Sequence, residues 1–568
     1  MITVGIHNSG ITSACSIIKN GKILYAACEE RFTRRKYDKL FPINALNSGL
    51  KYLNLDINNV NNFSIAWNPA INLSKKYRSA FSDWPAFSGA RLYSAPNKIL
   101  PLLSSEEYSE TILKIQREYS SLDFIFTNHH ESHAAFSFYS SGFENSDILI
   151  NDGYGEESCF TVYTGTRKGL KKLYSQEFPH SIGMLYSTIT QFLGFTPNFD
   201  EWKVMGASAY GDPKKYLNKF QKLINFNNGK INLDLKYFTF YNFEQSLYYS
   251  EELVSLLGLP RVKSEFLSQS HYDLAASLQY ITEAMVIKQL KFINKITGNS
   301  NVCLSGGVAM NCLLNGKVSK SGIYKNVSIP HSPDDSGNAI GSALLVQSRE
   351  YKKYFSLDNI RNPYLGIEYD NNYYRNILNK YQINFFLSKN ISKDASELIA
   401  SGNIIGWFHG KMEFGQRALG NRSILADPRI ENIKDKINSA IKYRENFRPF
   451  APSILDEEVS NWFDTNTNEY SIFMEKTCFI KKNKQKLIPG VVHIDGSARL
   501  QTVTKKNNHN LYYLLNAFFN LTNIPILINT SFNINSEPIV QSPEDAIRTF
   551  YTSGLDYLVL GSFIISKK

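Results

Sequence analysis

The stretch TVGIHNSGITSACSIIKNGKILYAACEE, residues 3–30, reads as strand, loop, strand, tight turn, strand. The apolar run TVGI is broken by the turn-prone HNSG, TSACSII resumes it, and NGK turns the chain before ILYAACEE. The plan recurs at 147–175, where DILIN leads into DGYGEES, CFTVYTG, TRKG and LKKLYS. A unit used twice in this way predicts a duplicated α/β fold, in which each small-residue loop can bring backbone N–H groups up to a phosphate. Further on, residues 270–298 carry Leu274, Leu278, Ile281 and Met285 at helical spacing, and Gly298 ends the run. The short strand NVCL then enters Ser305-Gly306-Gly307 ahead of another helix. Glycine there allows the close backbone approach with which a nucleotide's sugar and phosphates are held.

Such a start to each half is that of the actin and sugar-kinase architecture, and it does not fill the chain of 568 residues. With domains of roughly 100–200 residues as the guide, two large domains are expected. The apolar strand pattern gives way to SREYKKYFSLDNIRNPYLG near 350–370, which sets domains at 1–355 and 370–568. The second again mixes strands (NIIGWF, IPILIN, YLVLGSFII) with helices, and its loops are dense in arginine. Apolar residues at 43% and charged residues at 20% exclude a disordered or fibrous chain. The N-terminus has neither a basic lead-in nor a continuous apolar stretch, so a first strand is expected there and not a signal peptide. No segment approaches the length that crosses a bilayer. Cys15, Cys28, Cys159, Cys303, Cys312 and Cys478 show no CxxC spacing, which points to reduced thiols and a cytoplasmic protein. The net charge of +11 is dispersed outside RFTRRK (31–36) and KKNKQK (481–486), so phosphorylated substrates explain it as well as nucleic acid does.

TNHHESHAAF, residues 127–136, sets His129 and His133 four apart. On a helix they share a face and can chelate one ion, although pairs at this spacing also occur as hydrogen-bonded surface residues. The zinc-protease pattern fails, because His130 stands where it requires Glu. Asp152, Asp334 and Asp335 follow apolar strands at Gly-containing turns, either as further ligands or as turn formers. Two His with two Asp suit iron, manganese or zinc better than calcium. In the C-terminal part, Arg417, Arg422, Lys442, Arg444, Arg448 and Arg499 are set among Gly, Ala, Pro and Phe. Buried cations need an anion, and Arg binds phosphate bidentately. ILINTSFNIN ends a strand in Asn529, Thr530, Ser531 and Asn533, polar groups suited to an amide or carboxylate.

EERFTRRKYDKLFP, HHESHAA, HSIGMLYSTITQFLGF, DEWKVMGASAYGDP, LSGGVAMNCLLNGKV, GKMEFGQRALGNRSILADPR and KYRENFRPFAPS, in this order, resemble the NodU/CmcH family of O-carbamoyltransferases. The resemblance implies an α/β protein with a duplicated actin/sugar-kinase-like (ASKHA) domain followed by a YrdC-like α/β domain. It implies an ATP-dependent carbamoyltransferase of natural-product biosynthesis. Carbamoyl phosphate and ATP, the latter with Mg, give carbamoyl adenylate in the C-terminal domain, and a hydroxyl of a small sugar or specialised metabolite takes the carbamoyl group in the N-terminal one. By the same resemblance His129, His133, Asp152 and Asp335 hold a divalent metal, Fe(II) in characterised relatives. Asp335, not Asp334, fits the family's Asp-x-Gly-x-Ala pattern. Gly306, Gly307 and Asn311 line the nucleotide site, and Arg417, Lys442, Arg448, Arg499 and Asn529 bind carbamoyl phosphate and ATP. His129, His133, Lys442 and Arg448 are the expected catalytic residues; a homodimer is compatible, and neither nucleic acid nor membrane is an expected partner.

One departure stands out. Where the family shows Gly-His-Asp-Ala-Ser-Ala, alignment on Ser13-Ala14 puts Gly10 and Ile11 at the His-Asp pair, with His7 and Asn8 three residues upstream. A tRNA threonylcarbamoyl-type transferase and a non-catalytic regulatory or binding homologue are the alternative readings. Aromatic residues in WPAFSGARLYSAP (84–96) are candidates to cover the acceptor.

Overall fold

The computed structural model describes residues 1–8, 11–68, 111–116, 121–242, 245–351, 361–442, 448–465 and 471–567. The stretch 84–96 and Arg444 lie outside the described residues. The chain divides into two units: Met1–Leu24 with Lys39–Arg361, and Tyr25–Asp38 with Asn362–Lys568. The segment Tyr25–Asp38, which the sequence places inside 1–355, thus groups with the second unit.

The first unit begins with β1 (Ile2–His7), β2 (Ala14–Lys19), the start of β3 (Lys22–Cys28, of which residues 22–24 fall in this unit), β4 (Asn62–Ile65), β5 (Thr111–Gln116) and β6 (Ser121–Phe126). They form one sheet in the order β3-β2-β1-β4-β6-β5. β1 runs antiparallel to β2, from Ile2↔Lys19 to His7↔Ala14, and parallel to β4, which is parallel to β6. Next come β7 (Asn145–Asn151), β8 (Ser158–Thr166) and β9 (Gly169–Glu177), a hairpin of β10 (Ile224–Asn227) and β11 (Lys230–Leu233), then β12 (Asn301–Ser305) and β13 (Asn326–Ser328). The second sheet is ordered β13-β12-β7-β8-β9. β7 and β8 are antiparallel, as are β8 and β9, whereas β7, β12 and β13 are parallel. The orders β3-β2-β1-β4-β6 and β9-β8-β7-β12-β13 coincide strand for strand, which is the duplication of an actin/sugar-kinase-like fold.

β1 is buried at all six positions, as a central strand covered on both faces should be. Four helices matter to the site: α1 (His129–Ser141), α2 (Gln269–Thr297), α3 (Cys312–Lys320) and α4 (Asn338–Tyr351). α1 has no solvent face, since every residue of it except Glu131 is buried. Its serines return their hydroxyls to backbone carbonyls of the same helix, as with Ser140 to Phe136 and Ser141 to Phe138. α1 and α4 pack together, and α4 lies on β1. Gly5 of β1 makes that contact close: a Cβ there would sit 1.8 Å from the Ala339 carbonyl oxygen. α2 ends on the left-handed Gly298.

The second unit is built on a mixed sheet of β14 (Phe386–Leu387), β15 (Ile405–Phe408), β16 (Arg422–Ala426), β17 (Ala451–Leu455), β20 (Gln501–Val503), β21 (Ile526–Ser531), β22 (Tyr557–Leu560) and β23 (Phe563–Ser566). The order is β14-β23-β22-β15-β16-β21-β17-β20, and β18 (Thr477–Phe479) pairs with β19 (Ser497–Arg499) beside it. Trp407, Ile424, Leu425, Ile528 and Leu558 anchor its apolar core. The protein is of the α/β class, a duplicated actin/sugar-kinase-like unit followed by a second α/β unit built on the eight-stranded sheet. No helix among the described residues is long and apolar enough to cross a membrane, and the six cysteines are buried and form no disulfide among the described residues.

Candidate functional site

Asn128 begins α1 by accepting from Glu131 N–H, which fixes the helix phase so that His129 and His133 face one way. Both rings are about 99% buried, so the surface-pair reading does not hold. One nitrogen from each, with one carboxylate oxygen each of Asp152 and Asp335, lie within 4.8 Å of one another. Asp152 Oδ2 is 3.1 Å from His129 Nε2 and 3.5 Å from His133 Nε2; Asp335 Oδ1 is 3.4 Å from both. The Asp335 side chain is 21% exposed, which opens the cluster on that side. Asp334, by contrast, is committed to its own turn through Ser332 and Ser336.

The carboxylates and imidazoles are oriented by what lies behind them. Asp152 Oδ1 accepts from Gly153 N–H at 2.8 Å and Gly307 N–H at 3.1 Å, which turns Oδ2 to the histidines. Gly306 must be glycine for this: its φ is +87°, and a Cβ would stand 2.2 Å from the Asn151 carbonyl oxygen. Ser305 Oγ donates to the Pro333 carbonyl, so its oxygen accepts from His133 Nδ1–H at 3.2 Å, which in the neutral ring leaves Nε2 as the lone-pair nitrogen. His133 Nε2 is buried without a hydrogen bond among the described residues. Burial opposes charge on His129, yet Asp335 and Asp152 outweigh it and hold its imidazole well above the usual value. Burial likewise resists ionisation of Asp152, and His129 and His133 overcome it, keeping the carboxyl well below the usual range. Two imidazoles and two ionised carboxylates converging on a common point, with an orphaned lone pair among them, fit a divalent transition metal.

His7 ends β1 beside this group, its Nε2 3.7 Å from Asp335 Oδ2 and its ring 5.8 Å from that of His129. The end of β1 thus brings a histidine to the site, and burial pushes it down to about 4, so it is neutral there. His130 turns away, pairing Nδ1 with Thr161 Oγ1 at 2.7 Å. Of the glycine-loop residues, Gly306 and Gly307 join the cluster through Asp152. Asn311 gives its amide to the protein: Oδ1 caps α3 at Leu314 N–H, and Nδ2 donates to Gln279.

In the second unit, Lys442 is buried, and its Nζ donates to the Ser531 carbonyl at 2.5 Å, the Asn533 carbonyl at 2.9 Å and Asn533 Oδ1 at 2.7 Å. The sheet register sets Asn529 opposite Leu425 and Ala451, and Gln501 opposite Ser453. Gln501 Nε2 donates to the Leu419 carbonyl, so its Oε1 faces Asn529 and accepts from Asn529 Nδ2 at 2.8 Å. The other end of that amide is thereby fixed: Asn529 Oδ1 is buried and without a hydrogen bond among the described residues. Arg417, Arg448 and Arg499 are half-buried on the adjoining segments. Arg422 is a correction. Fully buried, it stacks 3.6 Å over Phe408 and gives its guanidinium to the carbonyls of His409, Gly410, Asn421 and Ile367, so it braces the loop and has no need of a phosphate.

The family model described as carbamoyltransferase N-terminus matches residues 3–344, and that described as carbamoyltransferase C-terminus matches residues 396–567. The chain belongs to the carbamoyltransferase family. It is 34% identical to nodulation protein NolNO of Sinorhizobium fredii, over 98% of this chain and 79% of that one. It is 38% identical to nodulation protein NolO of Bradyrhizobium diazoefficiens, over 78% of this chain and 79% of that one. An uncharacterized protein, sll1178 of Synechocystis, is 34% identical over 98% of this chain and 95% of its own.

Several residues of this carbamoyltransferase site escape sequence reading. Glu156 is a buried carboxylate that accepts from His129 N–H at 2.9 Å, Asn68 N–H at 2.8 Å and Asn128 Nδ2 at 3.0 Å, so it anchors the first turn of α1. Asn338 Nδ2 lies 3.3 Å from His129 Nδ1. Glu413 Oε1 gathers the N–H groups of Leu419, Asn421 and Arg422 and so shapes the loop that carries Arg417. A signal for Glu156 was within reach, since an acid in the second glycine loop and a helix N-terminus in the same half are natural partners.

Proposed function

We propose that this carbamoyltransferase is ATP-dependent and acts in two stages, passing a carbamoyl group from carbamoyl phosphate to a hydroxyl of a small sugar or specialised metabolite. In the second unit, water cleaves carbamoyl phosphate to carbamate and phosphate, and a carbamate oxygen displaces pyrophosphate from the α-phosphorus of Mg-ATP, leaving carbamoyl adenylate. In the first unit, the acceptor oxygen bonds to the carbamoyl carbon as the bond to AMP breaks, and the hydroxyl proton is released. Adenylylation turns a sluggish carbamate into an electrophile, and a separate transfer site limits its hydrolysis.

The observation that carries this reading is the buried convergence of His129, His133, Asp152 and Asp335. These four would hold the metal, for which iron(II) is proposed and which supplies Lewis acidity toward the carbamoyl or phosphoryl oxygens. Gly306 and Gly307 offer backbone to the adenylate beside Asp152. Lys442, Arg417, Arg448 and Arg499 would grip phosphate oxygens, Lys442 with its buried ammonium set among the carbonyl oxygens of Ser531 and Asn533. The fixed Asn529 Oδ1 is an acceptor in want of an N–H, and the carbamoyl amide is the donor of that shape.

The test is to compare His133→Ala with wild type for bound metal, carbamoyl-phosphate-dependent pyrophosphate release and carbamoylation of an acceptor pool followed by mass. Metal and transfer should be lost while pyrophosphate release persists. Loss of pyrophosphate release as well would sink the assignment of stages.

A further inference from the structure

The basic run RFTRRK has so far no part in the chemistry. It lies in Tyr25–Asp38, the segment that groups with the second unit. Arg31 and Arg34 sit on and just after the short helix Glu30–Thr33, and their surroundings differ. Arg34 is neutralised: its Nε is 3.4 Å from Asp545 Oδ1, and its terminal nitrogens donate to the Pro538 and Ile539 carbonyls at 2.7 Å. Asp545 and Glu537 are shared between Arg34 and Arg548. Arg31 is 3% exposed, makes no ion pair among the described residues, and donates Nη2 to the Gly415 carbonyl at 2.7 Å. Its Nη1 is buried without a hydrogen bond among the described residues.

A guanidinium enclosed with one carbonyl and no anion is costly, because desolvation is not offset by a counter-charge. Gly415 lies two residues before Arg417, in the loop that Glu413 shapes and whose Leu419 carbonyl is tied through Gln501 to Asn529. The missing anion and the expected donor site thus adjoin the same loop. Resting on the two-stage reading above, we propose that Arg31 is a further phosphate-binding residue of the carbamoyl-adenylate site, its Nη1 pairing with a phosphate group of carbamoyl phosphate or of ATP.

Pyrophosphate release by the full-length protein, with KM for carbamoyl phosphate and for ATP determined separately, tests this in Arg31→Met and Arg31→Lys. The Met variant should raise one of the two KM values about 10-fold or more, as loss of a charge-assisted bond does, with a smaller fall in kcat; Lys should restore part of it. Whichever KM rises identifies the phosphate. Without ligand, Arg31→Met should melt no lower than wild type, since an apolar side chain replaces an uncompensated charge. Unchanged KM values together with a lower melting temperature would make Arg31 a structural cation and overturn the proposal. A wild-type protein that releases no pyrophosphate would instead remove the two-stage reading itself.

Discussion

Glu156 shows how a single residue outside the His–Asp cluster governs it. Three donors converge on its carboxylate, one of them the N–H of His129. Glu156→Ala would leave those donors buried and unmet, at a cost of roughly 2–4 kcal/mol, and loosen the ring that it positions. Chemical denaturation should register the first effect, and metal titration a loss of about 10- to 100-fold in affinity. His409 makes a different prediction, on pH. Burial, with Arg422 nearby, pushes it down to about 3 against an ordinary 6.5, and it stacks on Trp407 at 3.9 Å. The unfolded chain therefore takes up a proton below pH 6.5 that the folded one refuses until about pH 3. Stability falls as pH drops through that window, by about 2 kcal/mol at pH 5 from this residue. His409→Phe keeps the stack and should flatten the acid limb of a stability-versus-pH curve by that amount. On the proposed reaction Asn529 sets donor choice: with Oδ1 reading an N–H, acetyl phosphate should be a poor substitute for carbamoyl phosphate in pyrophosphate release. Asn529→Asp should weaken carbamoyl phosphate further by placing a negative charge among its phosphates.

At the level of elements, the turn after β12 joins the two glycine-loop strands into one site. Gly306→Ala puts a side chain at φ +87° and into the Asn151 carbonyl, so Gly307 cannot keep its bond to Asp152. The expected cost is about 2–4 kcal/mol, read as a lower melting temperature together with substoichiometric metal. Elements were also what the sequence showed best. Strand-loop-strand repeats and the i, i+4 histidines follow backbone periods that any reader can count, so β1–β3, β7–β9 and the shared face of His129 and His133 were legible. Partners across the fold were not. Arg422 and Lys442 sit in similar settings of Gly, Ala, Pro and Phe, yet one braces carbonyls of its own loop, and a carbonyl leaves no mark in a side-chain pattern. Asn311, read as lining the nucleotide site, caps a helix, and capping and binding ask for the same amide. Tyr25–Asp38 groups with residues hundreds of positions later, a pairing that composition cannot carry.

For the molecule as a whole, the proposed two-stage reaction divides the chemistry between units with separate residues and separate requirements. The first unit's cluster needs deprotonated imidazoles and carboxylates, which a metal secures by displacing the proton they otherwise share. On the same proposal the second unit's cations need only phosphate. Removal of metal by a chelator should therefore abolish carbamoylation of the acceptor and leave carbamoyl-phosphate-dependent pyrophosphate release intact. Lys442→Met should do the reverse, losing pyrophosphate release by 100-fold or more, on the order of 3 kcal/mol of binding to charged oxygens, with metal stoichiometry unchanged. Isotope exchange between pyrophosphate and ATP, measured beside metal content, reads both arms in one preparation. If chelation suppressed that exchange, or if Lys442→Met released metal, the two sets of residues would belong to a single step and the division of labour would be lost.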